Sequence, residues 1–180
     1  MEKKKLLIRS RYLIYGAVFV FLYVFQCMPG FLEIAGVKPM LLIPAAVTLA
    51  MFEGEFIGGL YGALAGLLIG LSSPMLFGFD GILLLCLCVA SGLLVIYLLR
   101  RTLVTAVLLS GVSVTLRCCL AYFFTYGIWG YENGGDIFWR STVWVILYTT
   151  LLTPVFFWMW EKVCGYFSSL RSTNVLKGKE

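Results

Sequence analysis

Five glycines, Gly54, Gly58, Gly62, Gly66 and Gly70, recur at every fourth position of one apolar stretch between Glu53 and Gly81. An α-helix sets residues i and i+4 on one face, so this spacing predicts a groove without side chains along a helix. In water such a helix is poor, because each internal glycine costs about 1 kcal/mol relative to alanine. In a bilayer the lipid tails are as apolar as leucine, helices associate by close packing, and small residues four apart let two backbones approach. The ladder therefore points to a helical membrane protein in which this segment is a packing spine. All five glycines are candidate contacts with another helix, in the same chain or in a partner.

Composition leads to the same class independently. Hydrophobic residues make up 61% of the chain and charged residues 13%, against about 45–50% and about 25% in soluble domains, and mean hydropathy is +0.96. A chain of 180 residues has room for about six spans of ~20 residues joined by short connections. The expected fold is thus all-α: a basic N-terminus over residues 1–11, a single six-helix transmembrane domain over 12–164 and a C-terminal tail over 165–180.

The runs that would form the spans are Tyr12 to Phe25, Pro39 to Phe52, Phe56 to Leu71, Gly81 to Leu99, Leu103 to Tyr126 and Phe138 to Trp160. Tyr12 to Phe25 follows a basic stretch like a secretory signal, but no small-x-small cleavage site follows it, so it is expected to remain as the first span. The second and third runs are short, reaching only ~21–24 Å across a ~30 Å core. They fit either two short spans or a re-entrant hairpin. Of the 14 Lys and Arg residues, eleven fall at one end of this alternation, two at the other (Lys38 and Arg140), and one, Arg117, within a run. The positive-inside rule then puts both termini and the Arg100–Arg101 turn in the cytoplasm, with loops near Phe31, Met75 and Asn133 outside. Trp139, Trp158 and Trp160 near the ends of the last run suit interfacial belts. The net charge of +5 is a topology signal and not one for nucleic acid.

Candidate chemistry is sparse. The chain has no histidine, which removes imidazole acid–base catalysis and histidine metal sites. Gly111-Val112-Ser113 has no basic partner following it to activate the serine. Cys27, Cys86, Cys88, Cys118, Cys119 and Cys164 contain no C-x-x-C pair and read as small packing residues. The expectation is a protein without catalytic residues, metal or cofactor. Arg117 is the exception that needs a reason: an arginine within a span is costly and marks a candidate site. It either snorkels along its own stem to the interface or pairs with a carboxylate, and Asp80, at the corresponding end of the fourth span, is the best placed.

Lys38-Pro39 leading into an apolar run, the glycine ladder ending in Gly66-Leu67-Leu68-Ile69-Gly70-Leu71-Ser72-Ser73, then Leu76-Phe77-Gly78-Phe79-Asp80-Gly81 and a leucine-rich span closed by Leu98-Leu99-Arg100, resemble the rod-shape-determining membrane protein family MreD. The resemblance spans about Lys38 to Arg101; elsewhere it is one of length, span count and basic tail. It implies a non-enzymatic scaffold of bacterial cell elongation and peptidoglycan synthesis in the cytoplasmic membrane. Implied partners are an MreC-like bitopic protein, wall-synthesis enzymes, MreB filaments and membrane lipid. Where many members carry an aspartate this chain has Gly70, so that carboxylate is either missing or supplied by Asp80. The alternative is the substrate-binding subunit of an energy-coupling-factor vitamin transporter, whose general fold the MreD resemblance also implies. Those subunits carry an alanine-x-x-x-alanine pattern on the first helix. Here Gly16 and Ala17 are each followed four places on by a large residue, Val20 and Phe21.

Overall fold

The computed structural model describes residues 2–28, 38–72, 78–124 and 134–176, with side chains for 10–28, 38–72, 78–124 and 142–166. It contains six helices: α1 (Glu2–Cys27), α2 (Leu42–Glu53), α3 (Glu55–Ser72), α4 (Phe79–Tyr97), α5 (Leu103–Tyr122) and α6 (Gly134–Leu176). No strand occurs among the described residues. The all-α expectation is met, and five of the helices are long and apolar enough to cross a membrane. The exception is α2, with 12 residues. The loops expected near Phe31, Met75 and Asn133 lie outside the described residues.

The reason α2 can be short is its position. Leu42 through Met51 are all buried, and α2 touches each of the other five helices. A helix that never meets lipid need not match the hydrocarbon thickness. Its C-terminus stops at Gly54, whose φ of 90° is a conformation that costs glycine little. Gly54 donates its N–H to Ala50 O at 3.0 Å, and its own carbonyl accepts from Gly58 N at 2.9 Å, so the chain leaves one helix and starts the next at a single residue. The tip of this α2–α3 hairpin meets Arg11 near the start of the apolar part of α1 and Arg101 in the α4–α5 turn. The hairpin tip therefore lies level with Arg11 and the α4–α5 turn.

The surface is as apolar as the core, and polar side chains are set into the interior. Phe56, Leu60, Leu108, Leu147 and Leu151 are exposed, whereas Thr48, Asp80, Ser91, Ser110, Ser113, Arg117, Thr149 and Thr153 are buried. Water would penalise the exposed apolar surface; hydrocarbon around the bundle favours it.

At both termini the helices outrun the predicted spans. The basic N-terminal segment is helical from Glu2, and the 43 residues of α6 span ~64 Å at 1.5 Å per residue. The tail expected from residue 165 is thus a continuation of α6 as far as Leu176. The connection between α4 and α5 is tight. Thr102 caps α5 by accepting from Thr105 N at 3.3 Å, one of the orphan amides at a helix start.

Candidate functional site

Asp80 sits in the first turn of α4, where a carboxylate is favoured by the helix dipole; Arg117 projects from α5. Arg117 Nε donates to Asp80 Oδ1 and Nη2 to Oδ2, each at 3.0 Å, a two-pronged pair that matches the planar guanidinium to the carboxylate. Asp80 is 2% and Arg117 7% exposed, so the arginine pairs and does not snorkel. Its Nη1 donates to Met40 Sδ at 3.2 Å. Met40 N donates to Thr149 Oγ1 at 3.1 Å, and Leu42 N to Gln26 Oε1 at 3.3 Å. The start of α2 is thereby tied to α1, α5 and α6, and through Arg117 to α4.

A second cluster, none of whose members stood out in the sequence, holds the other end of α2. Glu53 Oε1 accepts from Arg11 Nη2, from Tyr15 Oη at 2.6 Å and from Cys164 Sγ at 3.4 Å. Arg11 Nε donates to Tyr15 Oη at 2.7 Å. One carboxylate oxygen thus gathers α1, α2 and α6. Arg101 Nη2 donates to Phe52 O at 3.4 Å, and its guanidinium carbon lies 4.9 Å from the Phe52 ring centroid. The available signal was spacing: Arg11, Tyr15 and Phe19 share one face of α1, and Trp160 and Cys164 one face of α6.

Between the two clusters the contacts are aromatic and hydroxylic. Trp160 is fully buried, which corrects its expected place in an interfacial belt. Its ring packs against Tyr15 and Phe19 with centroids 5.1 and 6.1 Å away, and its Nε1 donates to Ala45 O at 3.0 Å. Trp158 is exposed, as a belt requires; the side chain of Trp139 lies outside the described residues. Ser110 and Thr153 join α5 to α6 by a hydroxyl hydrogen bond of 2.7 Å.

The glycine ladder divides into three parts. A Cβ at Gly58 would fall on Ala50 of α2; one at Gly62 would lie 2.8 Å from Leu84 O and from Cys88 Cβ of α4; one at Gly66 would fall on the Asp80 carbonyl. These three are spent on close approach of helices within the chain. Gly54 forms the corner instead of a helical position, and Gly70 has no neighbour closer than Gly78 N at 3.7 Å, so neither is a tight contact. Gly92, which was not singled out, faces the α3 backbone, 2.8 Å from Glu55 Cα to a Cβ built there.

Among the described residues no three of His, Cys, Asp and Glu lie close enough to hold a metal ion. The Asp80 and Glu53 carboxylates are each bound to an arginine, so the arrangement fixes helices relative to one another. Compared with known proteins, the chain matches no family model, no curated protein and no solved structure.

Proposed function

We propose that the chain is a non-enzymatic membrane scaffold, similar in role to MreD, which holds an MreC-like bitopic partner within the machinery of bacterial cell elongation. It would lie in the cytoplasmic membrane with both termini inside, the orientation that the distribution of Lys and Arg favours. The observation that carries the reading is that the carboxylates of Asp80 and Glu53 are used as fasteners. Asp80 goes to Arg117, and Glu53 to Arg11, Tyr15 and Cys164. The consequence is a stiff apolar body whose large outward surfaces are suited to lying against other membrane helices. Where many MreD proteins carry an aspartate this chain has Gly70; Asp80, whose backbone lies against Gly66 one helical turn away, is the residue that would supply that carboxylate.

Mass spectrometry of the purified protein, native for protein partners and denatured for small molecules, tests the proposal. A stoichiometric bitopic partner is expected, and deletion of the gene is expected to turn rod-shaped cells round. Recovery of a stoichiometric vitamin with no protein partner would overturn the scaffold and favour the transporter subunit.

A further inference from the structure

The surface around the α4–α5 turn sets two adjacent exposed arginines among exposed apolar side chains. Arg100 and Arg101 are both exposed, and neither has a carboxylate partner among the described residues. Arg101 leans on Phe52, while Arg100 makes no hydrogen bond or ring contact with any described residue. Immediately beside them Tyr97 and Leu98 are 76% and 77% exposed, Val104 opens α5 at 66%, and Phe56, on the adjoining start of α3, is 85% exposed. That α3 starts beside the last turns of α4 follows from Gly92 and Ile96, which face Glu55 and Gly54.

The depth of this patch is set by its neighbours. Arg101 reaches the carbonyl of Phe52, one residue from Glu53, which binds Arg11. The arginines therefore lie at the level where the apolar part of α1 begins, with the apolar side chains on the bundle side of them. Unpaired cations bordering exposed aromatic and aliphatic groups at that level complement an anionic amphiphile: phosphate against guanidinium, acyl chain against ring and leucine. An acidic protein segment would satisfy the arginines and leave the apolar half uncovered.

We propose that the α4–α5 turn binds an anionic phospholipid, its phosphate on Arg100 and Arg101 and its acyl chains along Tyr97, Leu98, Phe56 and Val104. This assignment rests on the membrane-spanning architecture and is independent of the scaffold reading.

The test is a titration of the full chain, purified in neutral detergent, with phosphatidylglycerol or with phosphatidylcholine of the same acyl chains, and lipid occupancy is read by native mass spectrometry. Each basic residue at an anionic surface is worth about a fivefold change in binding. Phosphatidylglycerol is therefore expected to bind at least about fivefold more tightly than phosphatidylcholine. Arg100→Gln, which removes no internal bond, is expected to weaken phosphatidylglycerol about fivefold and leave phosphatidylcholine unchanged; adding Arg101→Gln is expected to remove most of the remaining preference. Lys162→Gln, an exposed cation on α6, is expected to change little. Wild-type phosphatidylglycerol binding by the double variant overturns the site. So does an equal loss in Lys162→Gln, which means diffuse attraction. Full competition by glycerol phosphate means a free-phosphate site, and displacement of the lipid by an acidic protein means a protein site; either overturns the lipid assignment.

Discussion

Removing the carboxylate from Asp80 isolates the part of this bundle where a charge sits deepest. In Asp80→Asn the Arg117 guanidinium keeps its burial and loses its countercharge and one of two acceptors at 3.0 Å; the amide oxygen can keep one bond, but the amide NH2 opposes the second donor. Breaking a buried pair from one side costs about 3–5 kcal/mol, because the surviving charge is left uncompensated. At about 2–4 °C per kcal/mol for a chain of this length, the midpoint of thermal unfolding in detergent is expected to fall by roughly 6–20 °C. Arg117→Leu leaves the opposite orphan, a 2% exposed carboxylate, and is expected to cost a similar amount. The double variant has no orphan charge, so its loss is expected to be smaller than the sum of the two by at least ~2 kcal/mol. Arg117→Lys keeps the charge without the fork and is expected to fall between wild type and Leu. Additivity within about 0.5 kcal/mol, or single losses below ~1 kcal/mol as for an exposed pair, would refute the claim that the two side chains act as one unit.

The glycine positions are expected to separate by register. Gly62→Leu forces a side chain against Cys88 and the Leu84 carbonyl and is expected to cost about 1–3 kcal/mol by thermal unfolding, whereas Gly70→Ala, with 3.7 Å to spare, is expected to be near neutral; equal effects would contradict the division of the ladder. Glu53→Gln weakens a carboxylate that Arg11, Tyr15 and Cys164 share and is expected to cost about 1.5–3 kcal/mol, with Cys164 becoming more reactive to maleimide. In the wild type Cys86 and Cys119 are exposed and Cys88 is buried, so a lipid-soluble thiol reagent is expected to modify the first two and to reach Cys88 only on unfolding. On a cysteine-free background, a cysteine replacing Ser172 is expected to resist an impermeant thiol reagent in intact cells; labelling without permeabilisation would reverse the proposed orientation.

What was readable beforehand depended on whether a residue stood out against its surroundings. Arg117 and Asp80 did: a charge in an apolar run has few places to go, and helical rise put both near the same end of the bundle. The ladder was visible too, but its division was not. Four residues advance a helix by about 400°, so successive glycines drift by ~40° and turn from α2 at Gly58 towards α4 at Gly66. The burial of α2 was hidden because an apolar helix enclosed by protein has the same composition as one facing lipid. The Glu53 cluster was hidden for the opposite reason: its members come from segments where charges are ordinary, and only the packing of α1 against α6 brings Arg11, Tyr15 and Cys164 to one oxygen. Trp160 was misplaced by a rule for span ends, because α6 continues well past it.

The enclosure of α2 also has a consequence for how the protein is made. The ribosome delivers α2 before the side chains that complete its surroundings, Arg117 on α5 and Thr149, Trp160 and Cys164 on α6. Until they arrive, the Ala45 carbonyl lacks its tryptophan, and a 12-residue helix is too short to be held in the bilayer on its own. Insertion is expected to leave α2 sheltered by its hairpin with α3 until α5 and α6 pack on it. A ribosome stalled before Thr149 would release a product with its centre exposed to lipid, the kind of species that membrane proteases recognise. The steady-state level of this protein should then depend on completion of α6 more sharply than on any residue of the first four helices.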